Sequence, residues 1–108
     1  MQEKRFYVRI PSNIACTCTY LDEKIPGTIV DFSRDGMRLL VNATRPYSFK
    51  VGSSIRVRYY TSMELGDTLA PIIIKCDVDV RHVNYKSGKF PYMYQIGCRI
   101  ENTVDAWN

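Results

Sequence analysis

Through most of this chain apolar residues return at every second position. That period of two restricts it to strands with one buried face each. Residues 14 to 20 set Ile14, Cys16, Cys18 and Tyr20 against Ala15, Thr17 and Thr19. Residues 28 to 33 place Val30 and Phe32 on the apolar side, with Asp31 and Ser33 sharing the other. Met37, Leu39 and Val41 alternate with Arg38 and Leu40. Ile55, Val57 and Tyr59 alternate with Arg56, Arg58 and Tyr60. Ile74, Cys76, Val78 and Val80 face away from Lys75, Asp77, Asp79 and Arg81. Tyr94, Ile96, Cys98 and Ile100 face away from Gln95, Gly97 and Arg99.

The breaks between these six segments carry turn chemistry. Asp22-Glu23-Lys24 is a polar turn, and Asp35-Gly36 is a hairpin signal because glycine accepts φ > 0. Arg45-Pro46 and Val51-Gly52-Ser53-Ser54 bound a loop, while Gly66-Asp67 and Ser87-Gly88 mark two further turns. A sustained helical period is absent. The one place for a short helical turn is Thr103 to Asn108, where Asn102 or Thr103 could act as a cap. The 108 residues allow one domain. Six short strands with one apolar face each must close on themselves or pack in two layers. A six-stranded antiparallel β-barrel does so and removes the edges. The expected layout is a flexible lead-in over 1–11, a barrel over 12–101 and a tail over 102–108.

The remaining composition narrows the function. No apolar run approaches the ~20 residues of a membrane span, and Met-Gln-Glu-Lys-Arg leads into no signal-peptide core. A cytoplasmic protein with reduced thiols is the expectation. Cys16, Cys18, Cys76 and Cys98 sit among alternating apolar residues, and Cys16-Thr17-Cys18 is too tight for a zinc knuckle, so all four read as core packing. His82, at the end of an apolar alternation, reads as structural. The net charge of +4 is mild and informs only where it is focused.

It is focused at Lys4-Arg5-Phe6-Tyr7-Val8-Arg9-Ile10-Pro11. Pro11 disfavours a helix through Ile10, so Arg5 and Arg9 sit on an irregular lead-in that can wrap against a barrel. Guanidinium groups offer a fork to phosphate or to guanine O6 and N7, and a flat face for stacking. A solvated basic tail would look the same. The second cluster is Asp31-Phe32-Ser33-Arg34-Asp35-Gly36. The Asp31 carboxylate can accept from a guanine edge, the Ser33 hydroxyl can donate and accept, and Gly36 allows a turn and close approach. Alone, this too reads as an ordinary hairpin with polar outer residues.

Together, Arg-x-x-x-Arg at 5–9 and Asp-x-Ser-x-x-Gly at 31–36 resemble the two motifs of the PilZ family, without departure at a defining position. Tyr94-Gln95-Ile96-Gly97-Cys98-Arg99-Ile100 is similar to that family's final strand. The resemblance spans essentially the whole chain. It implies a bacterial receptor that binds the second messenger cyclic di-GMP on the barrel surface and is not an enzyme. Arg5 and Arg9 would grip guanine and phosphate, and Asp31, Ser33 and Gly36 would hold a guanine edge. The residue before the first motif arginine, here Lys4, bears on whether one ligand or a stacked pair is held. Arg34 and Arg38 are secondary candidates. No cofactor or metal is implied. A protein partner or further domain would carry the output.

Two other classes compete. A small barrel binding single-stranded RNA needs exposed aromatic platforms, and Tyr7, Tyr60 and Tyr92 are scattered candidates. A PilZ-like module that binds only protein would be expected to have lost the arginine pair. Enzymatic chemistry finds no Cys/His pair, metal-ligand cluster, phosphate-binding glycine loop or acid–base carboxylate pair.

Overall fold

Each alternating segment becomes a strand, and the apolar faces turn into one interior. A computed structural model of the chain describes residues 10–85 and 91–107. Its strands are β1 (Ile10–Tyr20), β2 (Glu23–Phe32), β3 (Gly36–Ala43), β4 (Ser54–Leu65), β5 (Thr68–Tyr85) and β6 (Tyr92–Trp107). They form a closed antiparallel barrel in the order β1-β2-β3-β6-β5-β4, with β1 closing on β4 from Cys16↔Tyr59 to Thr19↔Arg56. Cys18, Ile29, Leu39, Val41, Ile55, Val57, Val78, Val80 and Ile96 lose all solvent contact. All four cysteines are buried free thiols packed in this core, and burial pushes the Cys98 thiol up to about 12. The expected turn at Ser87-Gly88 lies outside the described residues.

The long connection over residues 44–53 is anchored by aromatic groups. Phe49 enters the core, with its ring centroid 4.8 Å from that of Tyr20 and 5.0 Å from that of Tyr94. Tyr20 donates its hydroxyl hydrogen bond to the Ser48 carbonyl at 3.1 Å, and the Tyr94 hydroxyl accepts from the Tyr47 amide at 2.8 Å. Each buried ring thus keeps its polar end satisfied by loop backbone.

Four features depart from the sequence reading. Val30 was expected in the core, but Ile29 is the buried residue and Val30 is only half-buried. Ile29 pairs with Leu39 and Asp31 with Arg38, so Val30 is an extra residue in β2. This bulge restores Phe32 to the core side and leaves Asp31 outward. A second bulge, at Arg81, lies between the Val80↔Cys98 and His82↔Gly97 pairs. It turns His82 to solvent and lets Val83 pack on the core.

The third departure is at the C-terminus. There is no helix among the described residues, and the expected tail from 102 is strand, because β5 offers partners from Asp77↔Asn102 to Ile72↔Trp107. The fourth concerns turns. Gly36 does not have the positive φ of Gly52 or Gly66. The expected Asp22-Glu23-Lys24 turn is instead Leu21-Asp22, at φ 51° and 65°, with Glu23 already in β2.

Two positive φ values in a two-residue hairpin are the signature of a type I′ turn, where asparagine and glycine are preferred. The left-handed region costs an ordinary L-residue about 1–2 kcal/mol, and Leu21 is 77% exposed, so it gains little burial in return. Leu21→Asn should therefore raise stability by about 1 kcal/mol, an increase of about 4–8 °C in Tm for a domain near this size. A thermal melt that does not move would show that the Leu21 conformation is not strained.

Candidate functional site

The bulge at Val30 re-aims the second motif. It brings Asp31 opposite Arg38 on β3, Arg38 pairs with Gly97 on β6, and Gly97 pairs with His82 on β5. Four adjacent strands thereby contribute one row of outward positions. The next row runs Leu40, Gln95 and Asn84. Arg38, His82, Asn84, Gln95 and Gly97 line an open hollow of about 190 Å³.

The row is polar and unevenly exposed. The Arg38 Nε lies 3.6 Å from the Asp31 Oδ2, with the arginine side chain 40% exposed and the aspartate 16%. At that distance the pair is held by charge more than by a hydrogen bond. A guanidinium has five N–H donors, so such a pairing orients it without saturating it. The His82 ring lies against the α-carbon of Gly97. A Cβ there would meet the His82 Cδ2 at 2.5 Å, so Gly97 is the flat floor on which the imidazole rests.

The turn that ends β2 is fixed from two sides. The Ser33 amide donates to the Gly36 carbonyl at 2.9 Å, and the Ile100 amide donates to the Asp35 carbonyl at 2.7 Å. A Cβ on Gly36 would sit 2.5 Å from the Cys98 carbonyl oxygen and 3.4 Å from the Ser33 Oγ. Glycine is therefore required by the approach of β6, which is a different reason from the turn conformation read in the sequence. Ser33 is half-buried beside it, and Arg34 and Asp35 are exposed at the turn.

The first motif enters from β1. Ile10 pairs with Phe32 and Pro11 with Asp31, so the strand that follows the arginine motif begins directly against the second motif. Lys4, Arg5 and Arg9 themselves lie outside the described residues. Of the sequence candidates, Asp31, Ser33, Gly36 and Arg38 are thus collected at one end of β2 and β3. Arg38, a secondary candidate, is the residue that links the motif to the hollow. His82, Asn84, Gln95 and Gly97 were missed as site residues. Gln95 and Gly97 already alternated outward in the sequence, but nothing there showed that β5 would bring His82 and Asn84 beside them.

Among the described residues, no group of three or more His, Cys, Asp or Glu is placed to hold a metal ion. The arrangement offers a guanidinium, a largely shielded carboxylate, an imidazole and two amides around a shallow floor. That chemistry suits a flat, anionic ligand with hydrogen-bonding edges.

Comparison with known proteins bears on the barrel as a whole. The family model described as PilZ domain matches residues 3–106. The barrel is similar to the solved structure "PilZ domain with c-di-GMP of YcgR from Escherichia coli". That likeness has a TM-score of 0.59 at 19% identity and covers 94% of this chain and 79% of that one, so it speaks to the fold. No curated protein matches the chain.

Proposed function

The chain belongs to the PilZ domain family, and from that premise we propose that it is a receptor for cyclic di-GMP, not an enzyme, whose ligand lies across the ends of β2 and β3. The observation that carries this is the in-register row Asp31, Arg38, Gly97 and His82, with the strand that follows Arg5 and Arg9 paired against its first member. The similar YcgR domain was solved with that ligand.

The roles follow from the chemistry. Cyclic di-GMP presents two phosphates and two guanines. Arg5 and Arg9 supply forks and flat faces to them. Asp31 accepts from the guanine N1–H and N2–H, and Ser33 adds a hydroxyl beside it. Arg38 holds the Asp31 carboxylate and adds a cation on the hollow's side. The imidazole of His82, lying on Gly97, extends the surface toward Asn84 and Gln95. Lys4 is placed in sequence to bear on the number of ligands held, and Arg34 on the exposed turn is a further contact. Binding at this place would tie the β1 lead-in to the β2–β3 turn, which converts ligand level into a change another protein or domain can read. A bacterial, cytoplasmic setting fits such a receptor.

Titration calorimetry with cyclic di-GMP and cyclic di-AMP tests the reading. Adenine lacks the O6 acceptor and the N2 donor, and each lost bidentate pair costs about 1–3 kcal/mol. Cyclic di-GMP should bind at least tenfold more tightly, with stoichiometry read from the same isotherm. Equal binding of the two would overturn the proposal.

A further inference from the structure

A second charged surface lies on a different flank of the barrel, away from the row at Arg38. Outward residues of β1, β4 and β5 and the start of β2 build it. Lys24 pairs with Thr19, and Thr19 with Arg56; Thr17 pairs with Arg58, and Arg58 with Lys75. These six residues line a groove of about 390 Å³, roomier than the hollow of about 190 Å³ at Arg38.

Part of the charge on this groove works against the sheet. Arg58 and Lys75 are direct cross-strand partners, and like charges in that position destabilise a sheet. Arg56 is answered by Asp77, whose carboxylate accepts from its Nε at 2.9 Å and its Nη2 at 3.3 Å. Arg58 instead donates to a neutral group, the Tyr60 hydroxyl, at 3.0 Å.

The same face changes character farther along the β4–β5 hairpin. Beyond Arg58 and Lys75 the outward pairs are Tyr60 with Ile73, Ser62 with Pro71 and Glu64 with Leu69. Tyr60 is 56% exposed and Leu69 66%. Pairing of β4 with β1 stops at Tyr59, so among the described residues no strand flanks β4 on that side beyond it.

We propose that this face is a docking surface for an acidic, partly apolar segment of a partner protein. Carboxylates of the segment meet Lys24, Arg58 and Lys75, and apolar side chains rest on Tyr60 and Ile73. Charge complementarity selects this occupant. An anionic bilayer is flat and extended and would also have to cover the hairpin tip, where Glu64 and Asp67 stand beside Leu65 and Leu69, whereas a short acidic segment across Lys24, Arg58 and Lys75 ends before it. A single-stranded nucleic acid needs successive stacking platforms, and among the described residues this face presents one exposed ring, that of Tyr60. The surface does not depend on the ligand assigned to the Arg38 row.

The test is amide chemical-shift mapping on the full chain. The probe is a synthetic 12-residue peptide that alternates glutamate with tyrosine and leucine. The amides of Thr17, Thr19, Lys24, Arg56, Arg58 and Lys75 should shift, and affinity should fall as salt is raised past the point where the screening length is about 8 Å. The double variant Arg58→Gln/Lys75→Gln should lose affinity at least tenfold. It should keep a dispersed spectrum and unchanged cyclic di-GMP binding. No shift at these amides with the peptide would overturn the proposal. So would equal or tighter binding of oligothymidine or of phosphatidylglycerol nanodiscs at the same residues, or a double variant that folds and binds the peptide as the parent does.

Discussion

Gly36→Ala should be among the most destabilising single-methyl additions in this barrel. A Cβ at that position would lie 2.5 Å from the carbonyl oxygen of Cys98, inside any permitted contact. The obstacle is backbone of β6, held in register by the Gly36↔Arg99 and Met37↔Cys98 pairs, so it cannot swing aside. Overpacking costs about 1–3 kcal/mol, and an immovable partner places this case at the upper end. Tm should fall by about 10 °C or more, using about 4–8 °C per kcal/mol. Gly97→Ala is the internal comparison. Its Cβ meets an atom at the same 2.5 Å, but that atom belongs to the exposed His82 ring, which can rotate away. Its melt should stay within a few degrees of the parent while the hollow loses its flat floor. If the two variants melt alike, the β3–β6 approach is not the reason for glycine at 36.

The barrel was legible because its strands have one wet and one dry face. Met37, Leu39 and Val41, or Tyr94, Ile96 and Cys98, announce both the strand and its inward side, and all are buried. Bulges were not legible. One inserted residue changes neither composition nor propensity. It reverses the alternation only where a partner strand imposes register. Val30 and His82 were misassigned for that reason. The C-terminal segment was misread for a related one. A candidate cap at Asn102 or Thr103 is local information, whereas the strand from Asn102 to Trp107 exists because β5 extends far enough to pair with it.

The site divides along the same line. Asp31, Ser33 and Gly36 are close in sequence, so their meeting at the end of β2 could be read directly, whatever they bind. The hollow is assembled from three strands, with Arg38 on β3, His82 and Asn84 on β5, and Gln95 and Gly97 on β6, so only the fold brings them together. Arg38 could be suspected from nearness in sequence. His82 and Asn84 depend on the Arg81 bulge, which no local pattern betrays. Gly36 was singled out for a turn conformation it does not adopt and for close approach, and the close approach in the structure is that of the β6 backbone.

Asp31→Ala and Arg38→Ala should both impair cyclic di-GMP recognition, but in different ways. Arg38 adds positive charge and donors beside a dianionic ligand. Hydrogen bonds to charged groups are worth about 1.5–3 kcal/mol, so its removal should weaken binding by about ten- to a hundredfold. It also leaves the Asp31 carboxylate, 16% exposed, facing that ligand without the cation 3.6 Å away. Asp31 brings negative charge toward phosphates, and its gain is directional bonding to the guanine edge. Its loss should therefore narrow the preference over cyclic di-AMP more than it lowers affinity. Arg9→Ala should resemble Arg38→Ala and flatten the salt dependence, because both remove a cation from the ligand's surroundings. None of these changes should unfold the barrel. Asp31 and Arg38 face outward, and an ion pair with a partner 40% exposed is worth about 0–1 kcal/mol. Calorimetry of the three variants with both dinucleotides at low and high salt, together with ligand-free melts, separates the roles. Intact selectivity in Asp31→Ala would remove it from the guanine edge. A ligand-free Asp31→Ala or Arg38→Ala that melts far below the parent would make that residue a structural element of the β2–β3 pair instead.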